Sequence, residues 1–101
     1  MSVQSPKSQR AFIAAYRQGL GPRAAARLSD DEICDGAMLV AARVDREIER
    51  MQRAGKMKSV NTSYRNYRLE ASQRGERVLR YAEWMERYKA NLVREVAANL
   101  R

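Results

Sequence analysis

The chain has 101 residues, 45% of them hydrophobic and 32% charged, and its basic residues outnumber the acidic ones 20 to 12 for a net charge of +8. A chain of that size and make-up folds as one domain with a modest core, and its charge favours polyanionic or acidic partners. Without any histidine it lacks imidazole acid–base catalysis, Ser-His-Asp and Cys-His pairs and most transition-metal sites, and its single cysteine, Cys34, excludes an internal disulfide.

The first stretch, "MSVQSPKSQRAF", holds no apolar run resembling a signal peptide, and no run of apolar residues is long enough to span a membrane. A reducing, cytoplasmic setting is the expectation. Ser5 followed by Pro6 predicts an N-cap and a first-turn proline, opening a helix over 6–18 with Phe12, Ile13, Tyr16 and then Leu20 at helical spacing. Gly19 and Gly21 are expected to end it, and "PRAAARL" predicts a short helix over 22–28.

"SDDE" is the clearest helix start. Ser29 can cap while Glu32 reaches back to the N–H of the cap, and Asp30, Asp31 and Glu32 complement the helix dipole. The helix predicted over 30–54 carries Ile33, Ala37, Val40, Ala41, Val44, Ile48 and Met51 on one stripe and stops at Gly55. Cys34, beside Ile33, reads as a small buried hydrophobe. Asp31 and Asp35 share a face that could hold magnesium, but first-turn acids serve more often as caps and dipole partners. On the polar side, i,i+4 pairs Arg43–Glu47 and Glu49–Arg53 account for an arginine stripe.

The segment 12–33, "FIAAYRQGLGPRAAARLSDDEI", resembles the helix-turn-helix of bacterial DNA-binding domains and, more faintly, the small subunits of phage terminases. It departs from that pattern where Leu28 runs straight into Ser29. Its would-be recognition helix opens on three acids, although such helices meet bases with their N-terminal residues.

After the basic connector "KMKSVNTS", one helix is expected over 62–100, with a kink near Gly75. Tyr64, Ala71, Val78, Met85 and Leu92 stand seven residues apart, a heptad-like seam that would pair two copies in a dimer. The alternative is a break near "SQRG" that yields a monomeric bundle. The fold expected is therefore all-α: three main helices plus a short one, with a long C-terminal helix in a dimer.

No glycine-rich phosphate loop or catalytic constellation occurs, so the chain reads as a non-enzymatic protein without cofactor or metal. Charge is uneven along it. Residues 53–80 hold eight basic and two acidic side chains, whereas 29–52 hold three and seven. Lys56, Lys58, Arg65, Arg68, Arg74, Arg77 and Arg80, interleaved with Tyr64 and Tyr67, form the candidate nucleic-acid surface, with DNA ahead of RNA. Arg80, Arg87, Arg94 and Arg101 fall opposite the seam among Glu76, Glu83 and Glu86, and read as a solvated back. The expectation is a small basic regulator of a bacterium, phage or plasmid. The alternative is an adaptor or inhibitor that presents Tyr81, Trp84 and Tyr88 to an acidic or apolar partner protein.

Overall fold

The computed structural model describes residues 6–100; the expected Ser5 cap and Arg101 lie outside them. Among the described residues there are four helices and no strand: α1 (Pro6–Ala26), α2 (Asp30–Arg53), α3 (Lys58–Gln73) and α4 (Tyr81–Ala98). Helices α1, α2 and α4 pack against one another in all three pairings. Their shared core is built on Phe12, Tyr16 and Leu20 of α1, Ile33, Ala37, Val40, Val44 and Ile48 of α2, and Val93 and Ala97 of α4. The apolar stripe of α2 supplies the largest share, and it is the stripe expected from its steps of three and four.

Helix α1 contains both expected N-terminal helices. It is interrupted at Gly21, whose φ of 85° is left-handed and whose successor, Pro22, begins the short second part. Gly19 does not end the helix as expected. It lies where α1 crosses α4 so closely that an added Cβ would meet the Arg94 carbonyl oxygen and the Ala97 methyl group. Gly19→Ala is accordingly expected to lower stability by about 1–3 kcal/mol, because the obstacle is backbone that cannot swing aside. A denaturant midpoint unchanged from the parent chain would contradict that close crossing.

Helix α2 begins as expected. The Glu32 N–H donates to Ser29 Oγ at 3.1 Å and the Ser29 N–H to Glu32 Oε1 at 3.0 Å. Those bonds hold the Glu32 carboxyl below its ordinary pKa, the backbone bond from Ser29 most of all. Cys34, expected to be buried, is half-buried. Farther along, Asp45 Oδ1 takes Lys89 Nζ of α4 at 2.9 Å. Both side chains are about four-fifths covered, so this pair is less screened than a surface one and ties α4 to α2.

The long C-terminal helix is corrected. Instead of one helix over 62–100 there are two, because α3 stops at Gln73 and α4 starts at Tyr81. The Gly75 N–H donates to the Ser72 carbonyl and the Glu76 N–H to the Ala71 carbonyl, with Gly75 at φ 70°. That pair of bonds is a Schellman termination, which stops a helix where a kink would let it continue. The same motif closes α2, through Gly55 to Gln52 and Lys56 to Met51. The seam meant for a second copy is largely used within one chain: Ala71 and Met85 are buried, Tyr64 and Leu92 half-buried, and Val78 alone is exposed. No helix among the described residues is long and apolar enough to cross a membrane.

Candidate nucleic-acid interface

Helix α3 joins the bundle through a second, aromatic cluster. Its inward stripe is Val60, Tyr64, Tyr67 and Ala71, in steps of four and three, and every other residue from Lys58 to Gln73 is exposed. Val60, Tyr64 and Tyr67 pack with Trp84, Met85 and Tyr88 of α4 and with Met51, Met57 and Leu79. The Tyr64 ring meets Tyr81 edge-on at 5.1 Å and Trp84 at 5.2 Å, and Trp84 stacks on Tyr88 at 5.3 Å. Two hydroxyls then fasten the connector between α3 and α4. Tyr64 donates to the Leu79 carbonyl at 2.9 Å, and the Leu79 N–H donates to the Tyr67 hydroxyl at 3.0 Å. One residue of extended chain is thereby held at both its backbone groups, which leaves neither polar group unmet beside the cluster.

The candidate cations divide by partner. Arg74 pairs with Glu76 at 3.3 Å, and Arg77 with Glu83 at 3.3 Å. Lys56, Lys58, Arg65, Arg68 and Arg80 are exposed and take part in no ion pair among the described residues. Arg68 lies over the Tyr64 ring, 5.9 Å from its centre, which orients the guanidinium without neutralising it. Lys56 and Lys58, with Ser59 and Thr62, line an open concavity at the start of α3. No side chain caps that helix and no acid stands in its first turn. The one acid of α3, Glu70, is turned about 140–160° round the helix from Arg65 and Arg68 at 100° per residue. The exposed face of α3 therefore carries positive charge on one side and amides and hydroxyls (Asn61, Thr62, Asn66) across its width.

The arginines of α2 behave differently. Arg53 pairs with Glu49 as expected, at 3.7 Å, but Glu47 takes Arg50 and not Arg43. The bond between them lowers the Glu47 pKa and raises that of Arg50. Helix geometry explains the choice, since i,i+3 and i,i+4 partners both come within reach of one carboxylate.

Of the aromatic residues expected to face a partner, Trp84 is buried, Tyr88 is half-buried and Tyr81 is exposed, with its hydroxyl donating to Asn61 Oδ1 at 3.0 Å. The ladder read from one helix is in fact the joint between two. Arg87 and Arg94, expected on a solvated back, are exposed, and with Glu83 and Glu86 of the same helix and Lys7 of α1 they line a groove of about 810 Å³ between α1 and α4. Its rim carries both signs of charge. The tyrosine grip on Leu79, the Lys89–Asp45 pair and this groove had no signal in the sequence, because each joins residues from separate turns or helices. In the segment that resembles a helix-turn-helix, the acids at the start of α2 are exposed and Asp30 takes Arg17 at 3.5 Å. No protein-family model, curated protein or solved structure matches the chain.

Proposed function

We propose that the protein is a small, non-enzymatic nucleic-acid-binding protein whose contact face is the outer side of α3 with the connectors at its two ends. What carries the proposal is the group of five cations, Lys56, Lys58, Arg65, Arg68 and Arg80, whose side chains are exposed and in no ion pair among the described residues, although the Glu83 carboxylate sits on the backbone N–H of Arg80. Exposed lysines and arginines with nearby acids settle into surface ion pairs, as Arg50, Arg53, Arg74 and Arg77 do. A face that keeps its cations unpaired has charge left for phosphates, and releases counterions when it meets them. A regulatory role on bacterial, phage or plasmid nucleic acid fits the size of the chain and its lack of catalytic groups. All five cations stand on one copy of the chain.

A mobility-shift titration over a range of salt concentrations tests the proposal. If the five cations neutralise five phosphates, log K against log salt falls with a slope of about −4 to −5 on duplex DNA. No binding to DNA or RNA at low salt ends the proposal. The adaptor alternative keeps Tyr81 as its exposed aromatic, but its central residue, Trp84, is packed inside.

A further inference from the structure

Resting on that assignment of α3, we propose further that the ligand is duplex DNA and that α3 enters its major groove with Lys58, Thr62, Arg65, Asn66 and Leu69 turned to the base edges. The first observation is how α3 is mounted. It touches the body along one narrow stripe, Val60, Tyr64, Tyr67 and Ala71, and the three larger helices pack without it. The five named residues surround the direction opposite that stripe at 100° per residue, and all five are exposed. A helix with its side chains is about 10–12 Å across, the width of the major groove of B-form DNA. From Lys58 to Leu69 the face runs roughly 16 Å, enough for about five base pairs.

The second observation is the chemistry of that face. Arg65 and Asn66 make no side-chain hydrogen bond or ion pair among the described residues, so the guanidinium is free for the two acceptors of guanine and the amide for the acceptor–donor pair of adenine. Thr62 donates its hydroxyl to the Lys58 carbonyl at 2.9 Å, which leaves its lone pairs and its methyl group to face outward. Leu69 is 58% exposed in the middle of this polar face. An apolar side chain there costs solvation in the free protein and finds a complement in the thymine methyl group. Arg68 stands to one side of the face and Lys56 at its N-terminal end, beside Lys58, Ser59 and Thr62, where both can meet the phosphates that border the groove.

The third observation separates duplex DNA from other nucleic acids. Single strands are held by stacking bases on open aromatic faces. Tyr64, Tyr67 and Trp84 are committed to one another, and both tyrosine hydroxyls to Leu79. Tyr81, the exposed aromatic beside the face, is held against Tyr64 and Trp84 and by its hydroxyl on Asn61, so the cationic face has no row of open rings on which successive bases could stack. Duplex RNA has a major groove too deep and narrow for a helix to read.

The experiment has two arms on the full chain. In the first, one sequence is offered as duplex DNA, duplex RNA and single-stranded DNA at the same salt. In the second, binding sites are selected from randomised duplex DNA with the parent chain, Arg65→Ala, Asn66→Ala and Lys56→Ala. Duplex DNA is expected to bind at least tenfold more tightly than the other two, and selection to return a short core motif. Arg65→Ala and Asn66→Ala should each erase the preference at one position of that motif. Lys56→Ala should weaken all sequences alike. Equal or tighter binding to RNA or to single strands overturns the proposal and leaves α3 as a nucleic-acid face. So does an absence of any selected motif, or a motif unaltered by both substitutions. Failure to bind any of the three overturns both.

Discussion

Replacing Trp84 by alanine is expected to lower the unfolding free energy by about 3–5 kcal/mol, the range for removing a large aromatic side chain from a core. For a domain of this size that moves the thermal midpoint down by on the order of 15 °C or more. The loss should be uneven. Trp84 lies between Tyr64 of α3 and Tyr88 of α4, and α3 has no other core to rest on. Amide exchange in α3 should therefore accelerate before exchange in α2, whose buried stripe belongs to the other cluster. Tyr81→Ala, at the exposed edge of the same cluster, serves as the comparison and should cost far less. A Trp84→Ala chain as stable as its parent would show that the indole packs on nothing and return it to service as a partner anchor.

The second large effect is on binding. Replacing Lys56, Lys58, Arg65 and Arg68 together by alanine is expected to weaken nucleic-acid binding by on the order of 10³-fold, at about 1 kcal/mol for each phosphate or base interaction. The fold should survive. All four side chains are exposed, and among them only Arg68 packs on a neighbour, the Tyr64 ring. Arg74→Ala with Arg77→Ala removes two cations from the same stretch of sequence, yet should weaken binding less than tenfold. Those two already face Glu76 and Glu83, so their net contribution to the local field is small. Circular dichroism on each variant separates loss of binding from loss of structure. Equal effects of the two sets would mean that overall charge, and not the face of α3, governs affinity.

These contrasts rest on distinctions that were only partly legible in the residues. Seven cations between Lys56 and Arg80 were visible as a basic stretch, but nothing along the chain separated Arg65 from Arg74. The separation comes from the turn after Gly75, which brings Glu76 back to Arg74 and allows Glu83 to reach Arg77. The aromatic residues posed the reverse difficulty. Tyr81, Trp84 and Tyr88 at helical spacing describe an apolar edge equally well whether its other half is a partner or Tyr64 and Tyr67 of the same chain. The heptad spacing across Gly75 was real as a pattern, and led to the expectation of one long helix because periodicity counts residues without asking whether the backbone turns between them. Gly75 after a helical run was the available signal for the stop, and it weighs more once the bonds to Ser72 and Ala71 are seen.

Local rules were enough, from the sequence by itself, for the all-α class, the start of α2 at the Ser29–Glu32 box, its buried stripe, the end of α2 at Gly55 and the break in α1 at Gly21. Each depends on side chains and backbone within one or two turns, where steric and hydrogen-bonding preferences act directly. Only the tertiary structure decided that residues 58–98 form two helices instead of one, that their aromatic residues face each other, and which of their cations stay outside ion pairs. Those outcomes follow from chain reversal. Once the connector folds back, the hydroxyls of Tyr64 and Tyr67 meet the backbone of Leu79, the apolar seam closes on its own chain, and the outer side of α3 is left exposed with Arg65 and Arg68 outside any ion pair among the described residues.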